Sequence, residues 1–574
     1  MARSGPRAEH GSTEPVRWIR APEPEGGGPL AADGVPPLLA PLLARRGVRT
    51  PRDARAFLDP SLDDLHDPGG LAGLPEAVER LAVARDREER VAVVGDYDVD
   101  GVSGTALVVA VLRHCGIDCE PVLPHRMREG YGFQPVHVER AVAAGCRLVV
   151  TVDCGTTSAE AAKRALEAGV DVIVTDHHVP GDALPPGTIQ VNPRQDGCTY
   201  PFPDLAGAGL ALKLCLALAG RLDRSPDPRA LLRVACLGTI GDLVPLVGEN
   251  RVIATLGLQA LGESRSPGLR ALFRQAGLRP PFTAEDVGFR LAPRINAAGR
   301  LDDASRALEL LLARDARTAG ELAARLEAWN RERQQAEAAV VDEAREAVVR
   351  RGGPAAIVVA WNEGWHRGVV GIAAGRLARE LHRPTVLLAV EGAEAVGSGR
   401  SIPGIELHGF LRRWRDEMVR FGGHAQAVGL SVAPERLDGL RTRWEEEAAR
   451  WPPERFVRTH EYELEMAAGG VTEELLGELG RLEPHGQGNP RPLIRVGPLR
   501  LAREPRCFGR RERRHLAAEA VGEDGARVSL LGWGWAGRVQ ELAGRFEALG
   551  HLEEDRYAGG PVLRLIDSRP AGGG

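Results

Sequence analysis

Between residues 90 and 180, apolar positions gather into short runs, each followed by a stretch of helical spacing. VAVVG (91–95), RLVVTVD (147–153) and DVIVTD (171–176) are rich in β-branched residues and read as strands. SGTALVVAVLRHCG (103–116) and SAEAAKRALEAG (158–169) read as helices. Strands and helices alternating in this way are the sequence form of βαβ units on a parallel sheet, so the fold class is α/β. A second α/β pattern comes later, where AAIVVA (355–360) and PTVLLAV (384–390) bracket the helical GVVGIAAGRLAREL. Between the two patterns, residues 315–351 carry no Pro and no Gly after Gly320. At 1.5 Å per residue they predict a helix of roughly 50 Å. Leu322, Leu326, Trp329, Val340, Ala344 and Val348 give it an incomplete apolar stripe, which suits a strut between domains. After WPPERF (451–456) the pattern changes to short alternating pieces separated by turns, among them RVSLLGWGW and PVLRLIDS, which predicts a small β-barrel of OB type.

The 574 residues exceed what one core organises, and the chain should fold as three or four domains. Hydrophobic residues at 43% and charged residues at 27% exclude a largely disordered or fibrous chain. No apolar run approaches the ~18 residues that span a bilayer, and the opening MARSGPRAEHGSTEP lacks a signal-peptide core, so no membrane association and a cytoplasmic location are expected. None of the eight cysteines forms a CxxC pair, which argues for reduced thiols. A net charge of −5 excludes a globally basic nucleic-acid binder, but residues 491–515 hold nine arginines against Glu504 and Glu512, with Phe508 among them. Arginines with an interleaved aromatic on a barrel suit tracking of a single strand.

Candidate chemistry sits at the strand ends. GDYDVDG delivers Asp96, Asp98 and Asp100 at alternate positions, which in extended chain project to one side. Gly101 permits a turn, and Ser103 or Thr105 can cap the following helix. Three carboxylates so placed repel one another unless a hard cation such as Mg²⁺ or Mn²⁺ neutralises them. Asp153 ends the next strand in TVDCGTTS, and Asp176, His177 and His178 end another in VIVTDHHVP. The carboxyl ends of parallel strands share one edge, where ligands bind, so the strands bring these side chains to one crevice. Asp242, at the end of CLGTIGD, adds a carboxylate at the close of an apolar helical run.

In order and spacing, DYDVDG, VDCGTTS, TDHH and GTIGDLVPL resemble the four motifs of the DHH phosphoesterase superfamily, with Val99 where Ala is commoner. PHRMREGYG (124–132), APRINAAGRLDDA (292–304), GWHRGVVGIAAGRL (364–377), GSGRSIPGIELHGFL (397–411) and FGGHAQAVGL (421–430) extend the resemblance to its single-strand-specific 5′→3′ exodeoxyribonucleases. Residues 1–50, rich in Gly and Pro, read as a partly ordered segment, and the resemblance implies a DHH catalytic domain at 51–314 and a connecting helix at 315–351. A DHH-associated domain at 352–450 and an OB-like nucleic-acid-binding domain at 455–574 would follow. It implies two Mn²⁺ or Mg²⁺ ions, one held by Asp96, Asp98 and Asp153 and the other by Asp100, Asp153, His177 and Asp242. His178 would touch the scissile phosphate, and Asp176 would support a histidine. Arg126 and Tyr131 would pair a phosphate contact with a stacking ring. Ser398, Arg400 and Ser401, in a flexible GSGRS loop, would hold a 5′-terminal phosphate. Gly422, Gly423 and His424 match the GGH signature of the domain that closes over nucleic acid, and Arg294, Asn296 and Arg300 would line the channel, although packing between domains would use them equally well. The implied partner is single-stranded DNA, with a helicase and a single-strand-binding protein as candidate co-workers.

Two other readings compete. A nanoRNase or cyclic-dinucleotide phosphodiesterase shares both catalytic domains but has no appended barrel. A catalytically silent replication scaffold has no need of a complete set of metal ligands.

Overall fold

The structure, a computed structural model, describes residues 16–572 apart from 26–29, 32–33, 127, 131, 510–513 and 556–558. Two compact units are present. One comprises residues 65–244 and 256–456, and the other residues 1–64, 245–255 and 457–574.

The first unit opens with a parallel sheet of five strands, β1 (Arg90–Gly95), β2 (Cys119–Val122), β3 (Cys146–Val152), β4 (Asp171–Thr175) and β5 (Thr188–Val191), in the order β2-β1-β3-β4-β5. β1 and β3 are buried along almost their whole length, as expected for strands covered on both faces. Helices α1 (Val99–His114), α2 (Gly207–Arg221) and α3 (Pro228–Gly241) pack together beside it. The parallel order leaves the carboxyl ends of β1, β3, β4 and β5 along one edge.

Further along the same unit, α4 (Ala292–Leu301) leads to α5 (Ala316–Arg350), a single uninterrupted helix where the strut was expected. The first part of α5 buries Ala319, Ala323, Leu326 and Trp329. The second part packs Val340, Val341, Ala344 and Val348 against α6 (Arg367–Leu381) and the second sheet. The same face is buried throughout, and the apolar stripe is incomplete because the polar Asn330 and Arg333 occupy that face between the two cores. The second sheet contains β6 (Val358–Asn362), β7 (Thr385–Glu391), β8 (Glu394–Arg400), β9 (Arg420–His424) and β10 (Ala427–Val432), in the order β9-β10-β8-β7-β6. Only β6 and β7 run parallel.

The second unit is built on a barrel. Its strands are β11 (Leu464–Met466), β12 (Ile494–Leu501), β13 (Arg506–Phe508), β14 (His515–Gly522), β15 (Arg527–Gly532), β16 (Phe546–Glu554) and β17 (Pro561–Pro570). β12, β16, β17, β15 and β14 pair in turn, and β14 pairs back onto β12, closing five strands with β11 and β13 at the flanks. The start of the chain belongs to this unit. Arg17–Arg20 pairs in parallel with Thr459–Tyr462, and Leu39, Leu42, Leu43 and Phe57 share a core with Val496, Leu516, Phe546 and Leu563. Residues 51–64 thus group with the barrel, where the sequence places them at the start of the catalytic domain. Arg251 is fully buried here, with its guanidinium over the Phe57 ring at 3.7 Å and donating to the carbonyls of Phe57, Leu482 and Glu483.

All eight cysteines are free thiols. Among the described residues, no helix is long and apolar enough to cross a membrane.

Candidate metal centre

β1 ends directly before Asp96, which is 2% exposed. The chain does not stay extended through the three aspartates. Asp98 is the N-cap of α1, and its carboxylate accepts the N–H groups of Asp100 (2.9 Å) and Gly101 (3.1 Å). Asp98 therefore does the capping expected of Ser103 or Thr105, both of which lie inside the helix. Gly101 does not serve a turn. A Cβ there would lie 2.6 Å from the backbone of Asp96, so glycine lets the helix start directly against the strand end.

Because the helix begins at Val99, Asp100 points away from Asp96 and Asp98. Its two oxygens accept the N–H groups of Gly207 (2.7 Å) and Ala208 (2.8 Å) at the start of α2. The carboxylates accordingly form two groups, where spacing alone suggested one point and the family resemblance two. Asp96, Asp98 and Asp153 can offer oxygens within 4.8 Å of one another, and the oxygens of Asp100 and Asp242 come equally close to each other and to a ring nitrogen of His177. Asp153, His177 and His178 make a third such set.

Asp153 follows β3 with φ of 61°, a left-handed backbone unusual for a residue other than glycine. Its Oδ1 lies 3.1 Å from His177 Nε2, which in turn is 3.7 Å from Asp242 and 3.9 Å from Asp100. Asp153 Oδ1, Asp96 Oδ1 and His177 Nε2 are buried and lack a hydrogen-bond partner. Gly207 allows this approach, since its Cβ would sit 2.6 Å from that of Asp153. Both histidines lie in the loop after β4, where their rings come within 4.6 Å of each other. His178 Nδ1 is 2.7 Å from Asp176 Oδ1, and Asp176 also accepts the N–H groups of His178 and Thr156. Asp176 is thus the support for a histidine that the sequence suggested.

Burial, reinforced by neighbouring carboxylates, holds Asp96 and Asp153 well above the usual carboxylate range. The same two causes push Asp100 up to about 7 and Asp242 up to about 8. Burial pushes His177 down to about 4, so that ring is neutral and able to ligate. Burial works against the charged form of His178, but the Asp176 hydrogen bond prevails and raises it to about 8. Crowded carboxylates, a neutral imidazole and orphaned buried atoms fit a site built for hard divalent cations.

A cleft of about 600 Å³ adjoins these residues, lined by Ser158, His177, His178, Arg194 and the exposed His424 at the end of β9. His424 is therefore brought to the centre from the second sheet. Gly423, with φ of 132°, has no room for a Cβ, which would meet the Ala427 carbonyl at 2.3 Å, whereas Gly422 is open. Arg126 lies over the Tyr97 ring at 5.1 Å, and its charge reaches Asp96, Arg300 and Arg400. Tyr131 falls outside the described residues. Ser398 and Arg400 lie on strand β8, where the sequence suggested a flexible loop, and Arg400 donates to Ser398 Oγ (2.6 Å) and the Gly399 carbonyl (2.9 Å). Ser401 donates to the Ile405 carbonyl at 2.8 Å.

The trio from PRINAAGR has structural partners. Arg294 donates to Glu327 of α5 at 2.7 Å, and Arg300 donates to the Gly368 carbonyl at 3.2 Å. Asn296 accepts the Val99 N–H at 2.6 Å and so braces the loop that carries Asp96 and Asp98. The sequence reading missed Asn192, which follows β5 on the same edge and donates to the His178 carbonyl at 2.9 Å. The run IQVN ends in a polar residue as the other strands do, and that was the available signal. It also missed Glu129 and His137. Glu129 accepts the His125 N–H (2.9 Å) and faces the fully buried His137 (3.2 Å), whose Nδ1 accepts the Gln134 N–H. That network pins the 125–134 loop from which Arg126 extends.

Three arginines of the barrel's basic run are engaged by acidic partners. Arg495 pairs with Glu465 and Glu547, Arg491 with Glu483 and Glu553, and Arg503 with Glu519. Arg510, Arg511 and Arg513 fall outside the described residues.

A five-stranded parallel sheet that gathers carboxylates and a histidine pair at one edge, followed by a mixed sheet, defines a DHH-type phosphoesterase core. The DHH family N-terminal domain model matches residues 90–239, the DHHA1 domain 353–450 and the RecJ OB domain 462–566. The chain belongs to the RecJ family. It is 38% identical over 506 residues to the single-stranded-DNA-specific exonuclease RecJ of Dickeya dadantii, covering 83% of this chain and 86% of that one. It is 40% identical over 466 residues to the Bacillus subtilis exonuclease of the same name, covering 80% of this chain and 59% of that relative's length. The crystal structure of RecJ from Thermus thermophilus in complex with Mn²⁺ matches 96% of this chain and 79% of that one, with a TM-score of 0.81 and 35% identity. A Mg²⁺ complex of the same protein matches with a TM-score of 0.76.

Proposed function

We propose that this chain is a divalent-metal-dependent exonuclease that degrades single-stranded DNA from the 5′ end to mononucleotides, in recombination and repair. The observation that carries the reading is the division of the strand-end ligands into Asp96/Asp98/Asp153 and Asp100/His177/Asp242, side by side on one sheet edge. These residues would hold two Mn²⁺ or Mg²⁺ ions, with Asp153 between them. Bound there, the ions supply Lewis-acid and water-activating chemistry for in-line displacement at a phosphodiester.

The chain's own residues bind and orient the substrate. Asp176 fixes the His178 ring and favours its protonated form, which suits it to neutralise charge on an oxygen of the scissile phosphate. Asn192 fixes the His178 backbone. Arg126 and Arg400, whose charges reach one another, would with Ser398 and Ser401 hold a 5′-terminal phosphate. His424, which follows Gly422 and Gly423 at the end of β9, offers a wall of the cleft that closes on the strand. In this reading, chemistry belongs to the residues up to 314, grip to 352–450 and strand tracking to 455–574, with 315–351 as the brace. A helicase that supplies single strands and a single-strand-binding protein that covers them are the protein partners it entails.

The test is hydrolysis of a labelled single strand with and without Mn²⁺ or Mg²⁺, against the same strand in duplex form. Metal-dependent release of mononucleotides from the single strand alone is expected. Activity in the presence of chelator would overturn the reading.

A further inference from the structure

The outer face of the barrel carries an aromatic row that the chemistry above does not use. β13 and β14 pair so that Phe508 lies opposite His515, while β14 and β15 pair Leu516 with Gly532, placing Trp533 next to His515. The three rings touch in sequence. Phe508 and His515 lie 5.4 Å apart, His515 and Trp533 4.8 Å, and Phe508 and Trp533 5.8 Å. The His515 ring is held in place by the Gly534 N–H, which donates to Nδ1 at 3.1 Å.

Alternation along the strands puts this row outside. Leu516 and Gly532 are buried, and Cys507 packs against the barrel core, so the residues between them face out. The next outward row is Arg506, Ala517 and Leu531 by the same register. Trp533 is 52% exposed, an unusual cost for the largest apolar side chain unless something covers it.

We infer that Phe508, His515 and Trp533 form a base-stacking platform on which single-stranded DNA lies as it is fed toward the nuclease. Three features select this occupant over an apolar protein surface. The rings are contiguous, as successive unstacked bases require. The next outward row begins with the exposed Arg506, a cation available to the backbone phosphates of a strand whose bases lie on the rings. Finally, the row lies on the outer face of a closed five-stranded barrel, where β13 flanks β14 and β15 ends, and barrels of this class bind oligonucleotides. The inference rests on the reading of residues 455–574 as a nucleic-acid module, and it adds which face and which rings make the contact.

The experiment uses the full-length protein with chelator, so that binding is measured without hydrolysis. Trp533→Ala should weaken the affinity for a 30-mer single strand roughly tenfold, the equivalent of about 1.4 kcal/mol. It should leave the slope of log affinity against log salt unchanged, because stacking releases no counterions. Trp533→Phe should recover most of the affinity. Unchanged affinity in both Trp533→Ala and Phe508→Ala would overturn the platform and make the row a protein-docking face. Photocrosslinking of the wild-type chain to a strand carrying 5-iodouracil guards against misfolded variants. Adducts at Phe508, His515 or Trp533 are expected, and adducts confined to residues 65–456 would overturn the proposal. Both readouts are independent of turnover, so a failure of the exonuclease reading shows itself separately, as absent hydrolysis by the metal-loaded wild type.

Discussion

The carboxylate of Asp100 accepts the N–H of Gly207 at 2.7 Å, and through its other oxygen that of Ala208. A residue that sequence spacing marks as a metal ligand is thus also the anchor of helix α2. Asp153, its neighbour in the centre, has no such duty, since its Oδ1 finds no hydrogen-bond partner.

The two aspartates should therefore separate by stability. Without metal, Asp100→Ala strands two helix-start amides and should cost about 3 kcal/mol, at roughly 1.5 kcal/mol or more for each hydrogen bond to a charged group. Asp153→Ala removes an unpartnered carboxylate repelled by Asp100 and Asp98, so its metal-free melting temperature should equal or exceed that of the parent. Both variants should lose hydrolysis. Thermal melts in chelator check this, and equal destabilisation by the two would contradict it.

The clamp on the 125–134 loop predicts a split between binding and turnover. Glu129→Ala removes the acceptor for His125 N–H and the partner of His137, and frees the segment bearing Arg126. KM for a 5′-phosphorylated strand should rise about tenfold, the loss of roughly one charged contact, while kcat and metal affinity stay near parental values. Steady-state kinetics paired with a metal titration separates these.

On the barrel, arginines should divide by their partners. Arg495 is engaged by Glu547 and Glu465, so Arg495→Ala should lower stability and leave the salt slope of strand binding alone. Arg506 is exposed and beside the aromatic row, so Arg506→Ala should flatten that slope by about 0.7. Affinities measured across a salt series, with melting temperatures alongside, decide the matter.

How far the sequence reached can be traced through these residues. Asp96, Asp153, Asp176, His177, His178 and Asp242 were legible because each ends a strand or helix whose apolar pattern is unmistakable, and parallel topology then brings the ends together. The split into two ligand groups was implied by the family resemblance but was not legible from spacing alone, because it depends on α1 starting at Val99 and bringing Asp100 to Gly207. The partners of Arg294 and Asn296, Glu327 and Val99, were hidden for the same kind of reason, since they are distant in sequence. The local excess of arginine overstated the free positive charge, because Glu465, Glu547 and Glu553 arrive from neighbouring strands. The packing of Leu39, Leu43 and Phe57 onto the barrel was hidden by more than 400 intervening residues.

A pH prediction concerns His485 in the barrel unit. Burial, aided by Arg491, Arg46 and Arg251, pushes its ring down to about 3, against an ordinary 6.5. The unfolded chain therefore takes up this proton first, and acidification from pH 6.5 toward 3 favours unfolding. His485→Gln should lose less stability than the parent between pH 7.5 and 5. Melting temperatures at the two pH values test this, and equal losses would count against it.

The most direct measurement of the central claim follows product release from one single strand labelled at its 5′ end and, separately, at its 3′ end, with Mn²⁺ or Mg²⁺ present. The account predicts that labelled mononucleotide is released at once from the 5′-labelled strand, while the 3′ label stays in progressively shorter oligonucleotides, and that chelator stops both. Immediate release of mononucleotide from the 3′-labelled strand, or cleavage that survives chelation, would contradict it.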